Sequence, residues 1–163
     1  MTRFLLVFVL AFSSALLVAY YVESLAAPIF KELLSAFIVL TLITGTISYA
    51  LYSYVDGIIK DIATDDRVNN KEQFNVVITK LSELKKEILV NAFTVVMLLI
   101  IERVSHGVSL VFPITNDQPF NWVWAFSISV RVACFASSVA IAVVQFRGFI
   151  YANEFRTIIS RAK

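Results

Sequence analysis

Charge is scarce in this chain. Asp, Glu, Lys and Arg together make up 16% of its 163 residues, against about 25% in an ordinary soluble domain. It also holds one cysteine, one histidine, three prolines and four glycines, and each shortage closes a class of function. With Cys134 alone there is no intrachain disulfide and no cysteine-based metal site, so the redox compartment stays unread. With His106 alone no second imidazole completes a metal set. The few glycines build neither a phosphate-cradling loop nor a collagen repeat. The two signs of charge almost cancel, 14 basic against 12 acidic residues, which is too mild a surplus for a nucleic-acid binder.

Catalytic patterns are missing as well. There is no H-E-x-x-H and no G-x-S-x-G. His106 next to Ser105 and Ser109 has only the spacing of helix neighbours, with no acid placed to orient the far ring nitrogen. Asp56, Asp61, Asp65 and Asp66 fall in a polar segment and Asp117 in a loop, which excludes proteolysis by paired aspartates within a membrane. The expectation is a protein without catalytic activity, cofactor or metal.

What the chain has in excess is apolar surface. Hydrophobic residues reach 59%, against about 45–50% in soluble domains, and the mean hydropathy is +0.80. One small core cannot absorb that excess, so the chain is neither disordered nor an ordinary soluble enzyme. A helix crossing ~30 Å of hydrocarbon needs roughly 20 apolar residues. Four stretches qualify: Phe4–Val22, Leu33–Val55, Ile88–Phe112 and Phe120–Phe146. The fold class expected is an all-α, integral-membrane four-helix bundle, one transmembrane domain over residues 1–163. A helical segment over 56–87 and a basic tail over 147–163 lie outside the membrane.

Basic residues orient the bundle. Arg3, the six Lys and Arg of the middle segment (Lys60, Arg67, Lys71, Lys80, Lys85, Lys86) and Arg147, Arg156, Arg161 and Lys163 of the tail fall on one side, eleven of the fourteen. Lys31 alone lies on the other. Positive charge stays in the cytoplasm, so both termini and the middle segment are expected inside. Tyr20, Tyr21, Trp122 and Trp124 mark the outer boundary and Tyr52 and Tyr54 the inner one. Two rival readings stand beside this frame. In one, Arg3, the first apolar run and Ser24-Leu25-Ala26 form a cleaved signal peptide, against which stand the length of the run and Pro28. In the other, the third span ends at Ile101 and the fourth starts at Val132, leaving residues 102–131 as an outer hairpin.

In the middle segment, Asp65, Asp66, Asn69 and Asn70 mark a turn, and Asn70 with Gln73 reads as a helix-capping pair. Phe74, Val77, Ile78, Leu81, Leu84 and Ile88 then recur at three- and four-residue spacing, while Lys71, Lys80, Glu83, Lys86 and Glu87 take other faces. This predicts an amphipathic helix running without a break into the third span. Its apolar stripe has three possible uses: packing on the chain's own Ile58, Ile59 and Ile62 or on the membrane surface, contact between protomers, or a site for a cytosolic partner.

Four ionisable groups fall inside the hydrophobic stretches: Glu102, Arg103, His106 and Arg131. A charge near the bilayer centre costs about 2.5–3.5 kcal/mol on insertion scales, so it is paired or faces water. Glu102 precedes Phe112 by ten residues and Arg131 follows Phe120 by eleven. The two spans are joined by a short outer connection, which places both groups at one depth and predicts an ion pair. Arg103 points about 100° away and needs another partner. His106 lies one turn beyond Glu102, and Asn91, Thr94, Ser105 and Ser109 broadly continue that stripe. Ser127, Arg131, Cys134 and Ser138 repeat on the fourth span, and Thr41, Thr44, Gly45 and Ser48 on the second. Small and hydroxylated residues let helices approach closely; the first span, with only Ser13 and Ser14, is expected at the periphery. The polar faces either bind the bundle together or line a path for ions or protons.

In size, topology and cytosolic helix the chain resembles small four-span proteins of bacterial defence and immunity, closest in outline to the membrane subunit of the Kiwa anti-phage system and to immunity proteins against pore-forming colicins. The resemblance covers the architecture of the whole chain and transfers no residues. It implies a bacterial inner-membrane sensor or anchor, homo-oligomeric, that recruits a cytosolic effector through residues 56–87 and the tail. The other readings are a small ion or proton channel and a bacteriocin immunity protein.

Overall fold

The computed structural model describes residues 2–22, 30, 32–64, 72–112 and 120–162. The turn at Asp65–Asn70 with its capping Asn70, and the signal-like Ser24-Leu25-Ala26 with Pro28, lie outside the described residues, as does the side chain of Phe74.

Among the described residues four long helices make up the fold, an all-α four-helix bundle: α1 over Thr2–Tyr21, α2 over Phe37–Ala63, α3 over Glu72–Val111 and α4 over Trp122–Ala162. No strand occurs among the described residues. All four helices are long and apolar enough to cross a membrane, and the chain is a multi-pass membrane protein. A helix satisfies its own backbone groups, which hydrocarbon does not. Several hydroxyls follow the same rule: Ser14 donates to Ala11 O, Thr41 to Ile38 O, Ser48 to Thr44 O and Ser129 to Ala125 O, all at 2.7–2.9 Å, whereas the buried hydroxyls of Ser137 and Ser138 have no partner among the described residues. Asn121 caps α4, its Oδ1 accepting from the Val123 and Trp124 N–H groups at 3.1 and 3.2 Å, where free donors need a partner.

Helices α3 and α4 have 40 and 41 residues, or about 60 Å each at 1.5 Å rise, twice the hydrocarbon thickness. Neither breaks near Ile101 or Val132, so residues 102–111 and 122–131 are helical throughout. The tail expected after Phe146 is a direct continuation of α4, because no Pro or capping residue interrupts it.

The chain divides into two compact units, one drawn from Met1–Ile43 and Val95–Ile141, the other from Thr44–Thr94 and Ala142–Lys163. In the first, α1 packs through small residues: Ala15 and Ala19 are buried beside Phe30, Leu34, Trp124, Ala125 and Ile128. A second cluster gathers Phe37, Val95, Leu98, Cys134 and Ile141. Tyr20, Phe120 and Trp122 form a ring triad with centroids 4.9–5.9 Å apart, as aromatic side chains do at a membrane boundary. Most large side chains of α1 stay exposed.

The second unit has its own core of Leu51, Val55, Ile58, Ile62, Leu81, Ile88 and Ala152, with Val77, Ile78 and Leu84 packed against it. The amphipathic stripe of α3 is therefore covered by α2 and α4 of the same chain. Of the three uses open to the stripe, the structure shows the packing on the chain's own Ile58, Ile59 and Ile62: Leu81 has 0% exposure, and Val77, Ile78 and Leu84 are partly buried against the same core.

Two glycines of this unit behave oppositely under substitution. A Cβ on Gly57 meets nothing within 4 Å, whereas one on Gly148 lies 3.3 Å from Leu84 Cδ1 and 3.5 Å from Leu51 Cδ2. Gly57→Ala is expected to raise stability by about 0.4–1 kcal/mol through the lost freedom of the unfolded chain. In Gly148→Ala the crowded methyl offsets that gain, leaving a change within roughly 0.5 kcal/mol of zero. Thermal unfolding of the two variants in detergent measures the difference.

Candidate functional site

The first unit contains an intramembrane charge cluster. Ten residues from the end of its hydrophobic stretch, α3 presents Glu102 inward, where the carboxylate is 1% exposed. Arg131, on α4, donates from Nε to Glu102 Oε1 at 2.8 Å, both groups buried. Helix rise alone puts the two at the same depth, and the antiparallel neighbours bring them together. The charge-assisted hydrogen bond is the strong kind, and burial makes each partner depend on the other.

Arg103 does not point away from this pair. Its Nε lies 3.4 Å from Glu102 Oε2, an oxygen that accepts no hydrogen bond. The flexible side chain bends back onto its sequence neighbour, which the angular spacing of Cα positions does not reveal. His106 is half-buried one turn further on and is not hydrogen-bonded to Glu102, so the four residues form an Arg–Glu–Arg cluster with an adjacent imidazole. Ser109, buried on the same helix, gives its hydroxyl hydrogen to His106 O at 2.8 Å, and Thr94 gives its own to Val90 O at 2.8 Å. Ser127, Ser129, Ser137 and Ser138 are buried along α4, as is Cys134.

Below Val104, Ser105 and Val108 of α3 and Trp122, Val123, Phe126 and Ser127 of α4 lies a shallow, mainly apolar crevice of about 420 Å³. It carries two hydroxyls and no ionisable group. Among the described residues no group of His, Cys, Asp and Glu is arranged to hold a metal ion.

The second unit holds two polar features. Gln145, on α4, donates from Nε2 to Ser48 Oγ of α2 at 2.5 Å, both buried. Gln145 was not singled out above, although it lies seven residues past Ser138 and continues the 127–131–134–138 stripe. Toward the helix ends Asp56 sits between two ammonium groups. Lys60 Nζ is 2.8 Å from its Oδ2, and Lys85 bridges α3 to α2 by donating to its Oδ1. Lys85 also lies over the Tyr52 ring at 4.7 Å, and Arg156 over the Tyr54 ring at 5.6 Å. Tyr54 itself donates from its hydroxyl to Asn153 Oδ1 at 3.3 Å. Net charge and hydropathy gave no sign of this network, because Asp56 and Lys85 stand 29 residues apart on different helices and only the packing of α2 on α3 brings them together.

No family model, curated protein or solved structure matches the chain.

Proposed function

We propose that this protein is a non-enzymatic sensor or anchor subunit of a bacterial inner membrane, with both termini in the cytoplasm, that holds a cytosolic protein partner at the membrane in a defence system of the anti-phage kind. The observation that supports this reading is the core of the second unit. The basic ends of α2, α3 and α4 do not trail off as separate tails. They fold on one another around Leu51, Val55, Ile58, Leu81 and Ile88, and the Lys85–Asp56 ion pair ties α3 to α2. Rigid helical ends with a mixed-charge exterior offer a docking platform at low ordering cost. The partner then meets the exterior of this module, where Val76, Lys80, Glu83 and Asp61 are exposed, together with the basic stretch after Arg147. Self-association in the membrane belongs to the same reading.

Orientation is tested by cysteine labelling. Cys134 is fully buried and is expected to give no background with a membrane-impermeant maleimide. A cysteine at Thr64 or Lys163 is expected to react only in permeabilised cells, and one at Val22 in intact cells. The reverse pattern overturns the N-in, C-in arrangement. The anchor role is tested by affinity capture from cells in mild detergent, comparing the wild type with Lys80→Glu/Lys86→Glu. A cytosolic protein held by the wild type and lost from the variant supports the reading. A wild type that holds none, or purified protein that conducts ions in liposomes with a current abolished by Glu102→Gln, removes it in favour of a channel.

A further inference from the structure

The intramembrane cluster carries one charge more than it balances. Glu102 contributes one negative charge and Arg131 and Arg103 two positive ones. Within residues 4–22, 33–55, 88–112 and 120–146, Glu102 is the sole acid. Arg131 takes the better share: its side chain is 10% exposed, whereas that of Arg103 is 45% exposed at 3.4 Å from the same carboxylate. A guanidinium has five N–H donors in a fixed fork, and with a single long contact on Nε the Arg103 side chain stays 45% exposed. Ile100 and Val104 beside it are exposed and apolar. One turn toward the C-terminus, a Cβ at Gly107 meets nothing within 4 Å, so the α3 surface just beyond Arg103 is open enough for another helix backbone to approach.

Two obvious counter-charges are out of reach. Arg103 lies nine residues from Phe112, or about 13 Å below that boundary. Side chains on a helix lean toward its N-terminus, here away from the nearer headgroups, and the boundary they lean toward, near Ile88, is ~22 Å off. A lipid phosphate is thus disfavoured. A second copy fares no better, since its one carboxylate at this depth is 1% exposed and engaged by Arg131, and two apposed Arg103 side chains repel.

We propose that the Arg103–Gly107 face of α3 is a lateral docking surface for the membrane-spanning helix of a different protein, one that carries an Asp or Glu at matching depth. The partner's carboxylate takes the open side of the Arg103 fork, while its backbone passes over Gly107. Bidentate pairing of guanidinium with carboxylate gives the contact both strength and register. This surface is independent of the cytosolic platform proposed above.

The experiment uses the full chain in phosphatidylcholine vesicles containing a minor fraction of phosphatidylglycerol, and energy transfer to a synthetic probe helix of about 20 leucines. One probe carries a single Glu at the depth of Arg103; the control probe is all leucine. The Glu probe is expected to associate about tenfold more strongly, the range of interhelical polar contacts in bilayers. Arg103→Leu is expected to abolish that preference. Gly107→Leu, which keeps every charge and whose Cβ meets nothing within 4 Å, is expected to weaken it at least about threefold, and circular dichroism establishes that both variants keep their helices. Equal association of the two probes, or a preference that survives Arg103→Leu, overturns the proposal. So does Arg103-dependent enrichment of phosphatidylglycerol without any probe preference, which assigns the face to lipid. Arg103-dependent energy transfer between two copies of the chain assigns it to self-association and overturns it equally.

Discussion

Glu102→Leu is expected to destabilise the protein by roughly 3–5 kcal/mol, among the largest effects of any single substitution here. The loss does not come from the contact alone. The variant leaves the Arg131 guanidinium buried with its 2.8 Å acceptor gone, and an uncompensated charge in a water-poor interior costs far more than an ion pair returns. The double variant Glu102→Leu/Arg131→Leu removes both charges and is expected to recover most of the loss, ending within about 1–2 kcal/mol of the wild type. Glu102→Gln keeps an acceptor for Arg131 and falls between. Unfolding titrations in mixed detergent and denaturant separate the three. If the single and double variants are equally unstable, the pair is not energetically coupled and Glu102 matters for another reason.

Leu81→Ala is expected to cost about 2–5 kcal/mol, the range for truncating a leucine in a core that cannot collapse around the cavity. Leu81 has 0% exposure and lies among Val55, Ile58, Ile62 and Ile88. Val76, five residues before it on the same helix, is 62% exposed, and Val76→Ser is expected to change stability by less than about 0.5 kcal/mol. The pair tests how the amphipathic stripe is used. If Leu81 served mainly as a contact for another protein, Leu81→Ala would leave the melting curve in place and weaken capture of the partner instead. Loss of both stability and capture points to the module as a folded platform rather than to Leu81 as a point of contact.

Much of this architecture is readable in the linear sequence. Hydropathy alone located the four spans, since a 20-residue apolar run has few fates. The continuous helix from the middle segment into the third span followed from a stripe with no breaker. The common depth of Glu102 and Arg131 followed from counting residues to the short connection between the third and fourth spans. Other features were not readable. Whether Val77, Ile78, Leu81 and Leu84 face a partner or the chain's own α2 depends on the rotation of α3 about its axis, and periodicity defines a face without saying what covers it. The bend of Arg103 onto Glu102 is a rotamer choice, so the 100° between their Cα positions misdirected the expectation. Gln145 continues the fourth-span stripe two turns past Ser138, but its amide carries no sign in the sequence of Ser48, 97 residues away, which only packing brings to it.

The linear sequence thus determined the number of membrane-crossing helices, the polar stripes and the bias of basic residues to one side. These are properties of composition and of the helical repeat, set locally by the need to satisfy every backbone group in hydrocarbon. Tertiary structure decided which stripes are spent within the chain and which stay open. Leu81 and the Gln145–Ser48 pair are spent; the Arg103 guanidinium is only half spent. The physical reason is that one carboxylate satisfies one buried guanidinium well, and packing, not spacing, chose Arg131.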